Sequence, residues 1–175
     1  GVVAGLSLLL PLDDFDPEQL RVGFHGTRIA GRLQLLPSPL ACRLFADVGH
    51  NQDAARALAD SLHRLRQDEG RIVVVLGMLK DKQPDLFVEA LKPAVDDWWL
   101  VTLDSERGLG SAALASRLGN QVEVKQHFER IDDALDHALS SLTNHDIMLV
   151  TGSFVTVELL LRALSDSGDF SGEFN

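Results

Sequence analysis

The sequence predicts an α/β fold: a mostly parallel sheet covered by helices on both faces. Two observations predict it. From residue 32 to residue 165, strand-like runs alternate with segments of helical periodicity, the arrangement that places helices over a parallel sheet. One of those runs, "RIVVVLGM" at 71–78, is continuously apolar, as a strand buried on both faces must be.

Taken in order, residues 1–10 read as the end of an apolar helix broken at Pro11. "DFDPEQLRVGF" follows as a short helix, with Asp16 as N-cap and Pro17 at its first position. "HGTRIAGRLQ" is Gly-rich and basic and reads as a connector, so a domain boundary is expected at about residues 26–31. "RLQLLP" (32–37) and "CRLFADV" (42–48) are two strands joined by the "PSPL" turn, a hairpin. Residues 51–67 place Ala54, Ala55, Leu58, Leu62 and Leu65 on one helical face. After strand 71–78 come helix 83–92, strand 98–103, helix 111–118, a short strand 121–125, helix 129–142, strand 146–151 and helix 154–165. Residues 166–175 read as a polar, frayed tail. Trp98 and Trp99 stand at adjacent strand positions and so face opposite sides, one of them expected in the core.

The chain has 175 residues and 45% hydrophobic side chains, enough for a substantial core plus part of another domain. Its net charge of −10 argues against a nucleic-acid or anionic-membrane binder. Residues 1–95 are nearly balanced, with 12 acidic and 11 basic side chains, whereas 96–175 carry 14 and 5. The first part is therefore the better host for an anionic ligand. A single cysteine, Cys42, excludes an internal disulfide and a multi-Cys zinc site, and a reducing cytoplasm is the expected compartment. The opening apolar run lacks a basic n-region and is too short to span a membrane. It also lacks an initiator Met, so the chain reads as a piece of a longer protein.

Ligands of open α/β sheets sit beyond the carboxyl ends of the strands. Four segments project there: "DVGHN" (47–51), "GMLKDK" (77–82), "DSERG" (104–108) and "TGSF" (151–154). Asn51 is placed to cap the helix that follows, whose free N–H groups favour an anion or electronegative atom, with Asp47 and His50 flanking that point. The plainer alternative is that Asp47 caps a turn and His50 is merely exposed. Neither is expected in the core. Lys80 and Lys82 either decorate a solvated loop or reach a carboxylate or phosphate on the same edge. Ser153 has the position of an N-cap for helix 154–165. Arg32 stands at the expected domain junction, either swinging onto an interdomain ligand or lying on the surface. No GxGxxG, no GxxxxGK[ST] and no GxSxG occurs, and the six histidines do not pair at metal-ligand spacing.

"AGRLQLL", "DVGHNQDAA", "VVVLGMLKDK" and "LVTGSFVTV", in this order and at these intervals, resemble the C-terminal part of the folylpolyglutamate synthase/dihydrofolate synthase family, within the ATP-dependent Mur ligase superfamily. The resemblance spans nearly the whole chain and implies a Rossmann-like C-terminal domain at 31–165, preceded at 1–30 by the end of a central ATPase domain. The family's Asp-x-Ala-His-Asn-Pro is Asp47, Val48, Gly49, His50, Asn51, Gln52 here, and its Pro-Gly-Arg is Ala30, Gly31, Arg32. In such ligases ATP converts a substrate carboxylate to an acyl phosphate, which the amino group of an amino acid then attacks. The resemblance implies dihydropteroate or a folate as acceptor, L-glutamate as amine, and ATP with Mg2+, the phosphate loop and metal ligands lying outside this chain. It implies that Arg32 contacts ATP phosphates and Asn51 lies at the nucleotide. Asp47 and His50 would line the acyl-transfer side, with Asp47 at the ribose or the hinge. Lys80, Lys82 and Ser153 would hold the glutamate carboxylates. It also implies a cytoplasmic monomer that packs against its own N-terminal domains and is inactive as this fragment alone. A Mur-type ligase for another acid and a non-catalytic ligand-binding α/β domain stay open as alternatives.

Overall fold

A computed structural model describes residues 33–166. The readings made for residues 1–32, Arg32 and the domain boundary included, and for 167–175 lie outside the described residues.

Strands β1 (Gln34–Leu36) and β2 (Arg43–Ala46) form the expected antiparallel hairpin. Then follow α1 (Gln52–Leu65), β3 (Ile72–Leu76), α2 (Pro84–Leu91) with a 3-10 turn at Lys92–Ala94, and β4 (Asp97–Val101). The chain continues through α3 (Ser111–Leu118), β5 (Val124–Phe128), α4 (Ile131–Ser141), β6 (Ile147–Thr151) and α5 (Phe154–Asp166). The sheet order is β1-β2-β6-β3-β4-β5, parallel throughout except for β1.

The order explains the layers. Strands β2, β3, β4 and β5 step outward in one direction, and a right-handed crossover then sends each connecting helix to the same face. Ala55, Leu58 and Leu62 of α1, Phe87 and Leu91 of α2, and Leu114 and Leu118 of α3 accordingly share one core with Ile72, Val74 and Leu149. The return from β5 to β6 reverses direction, so α4 lies on the opposite face beside α5, with Ala134, Ala138, Leu160 and Leu164 over Val73, Val75 and Val150. β3 and β6 are buried along their whole lengths.

Two expectations are corrected. Both tryptophans are core, each 3% exposed, Trp98 in one cluster and Trp99 in the other, because the sheet has no bare face. The last outer strand is Val124–Phe128, three residues beyond the expected 121–125. It is an edge strand whose side chains alternate between half-buried and exposed, so its apolar signal is thin. His137, on α4, packs edge-on against Trp99 with centroids 4.9 Å apart. Among the described residues no helix is long and apolar enough to cross a membrane.

At the amino-terminal edge of the sheet, Asp146 is buried and fastens three segments. Its carboxylate accepts from the Arg71 N–H (2.7 Å), the Thr143 N–H (2.8 Å) and the Thr143 hydroxyl (3.1 Å), with an Arg71 guanidinium nitrogen 3.5 Å away. Burial pushes this carboxyl up, but the donated bonds and the Arg71 charge together outweigh it and hold it below its ordinary value.

Candidate functional site

β6 lies between β2 and β3, yet its connection runs to α5 on the face opposite α1 and α2. Neighbouring strands whose exits diverge in this way leave a crevice at their carboxyl ends, where open α/β sheets bind ligands. The loops after β2, β6 and β3 are stitched across it. Asp47 N–H donates to Val150 O (3.0 Å) and Gly77 N–H to Thr151 O (3.1 Å).

The first wall is Asp47–Asn51. Asp47 departs from expectation: it is only 4% exposed. One carboxylate oxygen accepts the Leu33 N–H at 2.7 Å and the other the Gly49 N–H at 2.6 Å. The first bond holds Leu33, whose φ of +40° is a left-handed conformation, just before β1. The second closes a tight Asx turn. Asp47 thus fastens the backbone at two points. His50 is half-buried, and its Nδ1 lies 3.0 Å from Val48 O. Because a carbonyl only accepts, Nδ1 carries a hydrogen and Nε2 is the ring atom left for a ligand. Asn51 is the N-cap of α1 as expected, its Oδ1 accepting the Ala54 N–H at 2.9 Å.

The second wall is the β3–α2 loop. The β4–α3 loop runs alongside it, pairing Leu79 with Gly108 in an isolated antiparallel bridge. Lys80 is exposed; its N–H donates to Arg107 O (2.9 Å), its ammonium to Glu106 O (2.7 Å), and its carbonyl accepts from Arg117 of α3 (2.8 Å). Lys82 pairs with Asp81 at 3.1 Å, and Arg107 approaches the same carboxylate at 3.5 Å. The hydrogen bond from Lys82, with both positive charges nearby, holds the Asp81 carboxyl below its usual range. The two lysines are therefore set in a loop built from two strand ends, and a bound carboxylate would exchange with a backbone carbonyl at Lys80 and with Asp81 at Lys82.

The third wall is Gly152–Ser153. Gly152 has φ +109°, and a Cβ there would lie 2.4 Å from Gly77 O, so glycine permits the two loops to touch. Ser153 is 1% exposed and caps α5, accepting the Thr156 N–H at 3.1 Å. Thr156, fully buried, was missed in sequence. Its hydroxyl donates to Gly77 O at 2.7 Å, 79 residues away, and lies 2.6 Å from Ser153 Oγ. Only the spacing of Thr156 three residues after Ser153 hinted at it, and that spacing by itself signals no more than a cap. Among the described residues no three His, Cys, Asp or Glu side chains gather as a cation site.

Residues 31–154 match the family described as Mur ligase, glutamate ligase domain. A curated relative, the dihydrofolate synthase/folylpolyglutamate synthase of Haemophilus influenzae, is 32% identical over 167 residues, covering 82% of this chain and 37% of its own length. Among solved structures, Escherichia coli FolC in complex with DHPP and ADP superposes with a TM-score of 0.71 at 28% identity, over 96% of this chain and 38% of that one. A bifunctional folylpolyglutamate synthase/dihydrofolate synthase with Mn, AMPPNP and L-glutamate bound gives 0.69 at 29%, over 94% and 38%. The chain spans little more than a third of the length of these proteins.

Proposed function

This chain belongs to the Mur ligase family, its residues 31–154 matching the glutamate ligase domain, and from that premise we propose that it is the C-terminal part of an ATP-dependent amide ligase. The reaction joins L-glutamate to dihydropteroate, to a folate, or to both. The observation that carries this reading is the crevice at the β2/β6/β3 switch point, walled by His50, the lysine loop and the Ser153 turn. A solved relative that holds L-glutamate and a nucleotide analogue supports the choice of substrates.

ATP supplies the phosphoryl group that activates the acceptor carboxylate. The amino nitrogen of glutamate then attacks the activated carbonyl carbon, the carbon–oxygen bond to phosphate breaks, phosphate departs, and the nitrogen sheds a proton. In this reading Lys80 and Lys82 bring positive charge to the glutamate carboxylates. His50 Nε2 is the atom suited to orient or deprotonate the incoming amine, its ring held through Nδ1. Asn51 keeps the N-terminus of α1 in place beside the nucleotide. Asp47 serves through the backbone by fixing Leu33, and a phosphate contact is proposed for Arg32. In this reading Mg2+ and the phosphate loop belong to the preceding domains, against which residues 31–165 would pack.

The test uses the full-length enzyme. ADP release is followed with L-glutamate and either dihydropteroate or tetrahydrofolate. Release with dihydropteroate identifies a dihydrofolate synthase, with tetrahydrofolate a folylpolyglutamate synthase, and with both a bifunctional enzyme. Release with neither overturns the substrate assignment. The 175-residue chain alone is expected to release no ADP.

A further inference from the structure

The hydroxyls of Ser153 and Thr156 have a fixed direction. Thr156 Oγ1 carries one hydrogen, and Gly77 O, a pure acceptor, receives it at 2.7 Å. Ser153 Oγ lies 2.6 Å from Thr156 Oγ1, so the Ser153 hydroxyl must be the donor in that pair. Ser153 Oγ in turn accepts the Thr156 N–H at 3.1 Å. The chain therefore runs from Ser153 O–H to Thr156 O–H to Gly77 C=O, with all three residues buried. Gly77 opens the loop that carries Lys80 and Lys82, and Ser153 closes the turn after β6. The two glycines let these segments approach: a Cβ on Gly77 would meet Thr156 Oγ1 at 2.7 Å.

A substrate carboxylate could take the Ser153 hydrogen only by breaking this chain, which would leave a buried Thr156 oxygen short of a donor. We propose that Thr156 is a positioning residue of the amino-acid subsite. Its hydroxyl locks the Gly77 carbonyl, and with it the start of the Lys80–Lys82 loop, against the β6–α5 turn. Ser153 serves as the donor to Thr156 and not as a side-chain ligand of the substrate. This inference rests on the ligase reading above and deepens it.

Thr156→Val removes the hydroxyl at nearly constant shape, Thr156→Ser retains it, and Ser153→Ala leaves the Thr156–Gly77 bond in place. In the full-length enzyme Thr156→Val should raise KM for L-glutamate about five- to tenfold, as expected for a lost buried hydrogen bond. kcat should stay within about twofold and KM for ATP should not change, while Thr156→Ser restores KM and Ser153→Ala has a smaller effect than Thr156→Val. A larger KM effect from Ser153→Ala, or an unchanged KM in Thr156→Val, overturns the inference and leaves the ligase reading standing. Should Thr156→Val fail to fold, Ser153→Ala decides: a KM raised by less than about fivefold supports positioning, and a larger rise overturns it. Absence of glutamate-dependent ADP release in the unaltered enzyme overturns the functional reading, and this inference with it.

Discussion

Asp47→Ala removes the acceptor of two backbone N–H groups at once, Leu33 at 2.7 Å and Gly49 at 2.6 Å. Hydrogen bonds to a charged group contribute roughly 1.5–3 kcal/mol each, so the pair is worth about 3–6 kcal/mol. Part of that returns: Leu33, held at φ +40°, relaxes once released, recovering about 1–2 kcal/mol. The net loss is then about 1–5 kcal/mol. Urea unfolding of the 175-residue chain at neutral pH, followed by circular dichroism, reads it directly. With a slope of about 2 kcal/mol/M the midpoint should fall by about 0.5–2.5 M. Asp47→Asn retains one acceptor oxygen but turns an NH2 toward the second N–H, so its midpoint should lie between. A shift below about 0.3 M with unchanged slope would refute the claim that this carboxylate holds the backbone. Activity alone would not separate the roles, because an unfastened Leu33 would also disturb the site.

Two further outcomes are expected. Asp146 has a folded carboxyl below its ordinary 3.8, so its contribution is complete above that value and is lost as pH falls through the lower folded one. Asp146→Asn should therefore destabilise the chain at neutral pH and flatten the acid limb of its stability profile below about pH 4; an unchanged acid limb in a denaturation series would contradict this. Cys42 is buried and its thiol is pushed up to about 11, chiefly by burial. At pH 8 it should resist a thiol-specific chromogenic reagent until denaturant is added, and full labelling of the native chain within minutes would show the site to be open.

The elements were legible where periodicity was strong. Helix Ser111–Leu118 and the all-buried strands follow from the pattern of apolar residues. The edge strand slipped because its inward side chains, Val124, Gln126 and Phe128, are only half-buried. At the site, the segments were legible and the hydrogen bonding was not. A carboxylate at a strand end reads the same in sequence whether it faces solvent or, as Asp47 does, the N–H of a residue 14 positions earlier. Thr156 was silent for the same reason, its acceptor being contributed by the loop after β3. For Lys80 the two readings, solvated loop or anion contact, stayed level in sequence because Glu106 and Arg117, which engage it, belong to later elements.

The place of β6 has a consequence for synthesis. Among the described residues it is the last strand in sequence and yet stands in the middle of the sheet, pairing with β2 on one side and β3 on the other. On a ribosome, the hairpin and the β3–β5 half emerge with no ladder between them, two partial sheets each exposing an open apolar edge. Only when residues 147–151 arrive can they be zipped together, across more than a hundred residues of chain for the β2 pairing. Such long-range closure is slow and leaves the nascent chain open to aggregation. A premature stop before β6 would therefore cost more than the strand itself: it would leave the β2 and β3 edges with no partner between them and the crevice without its floor.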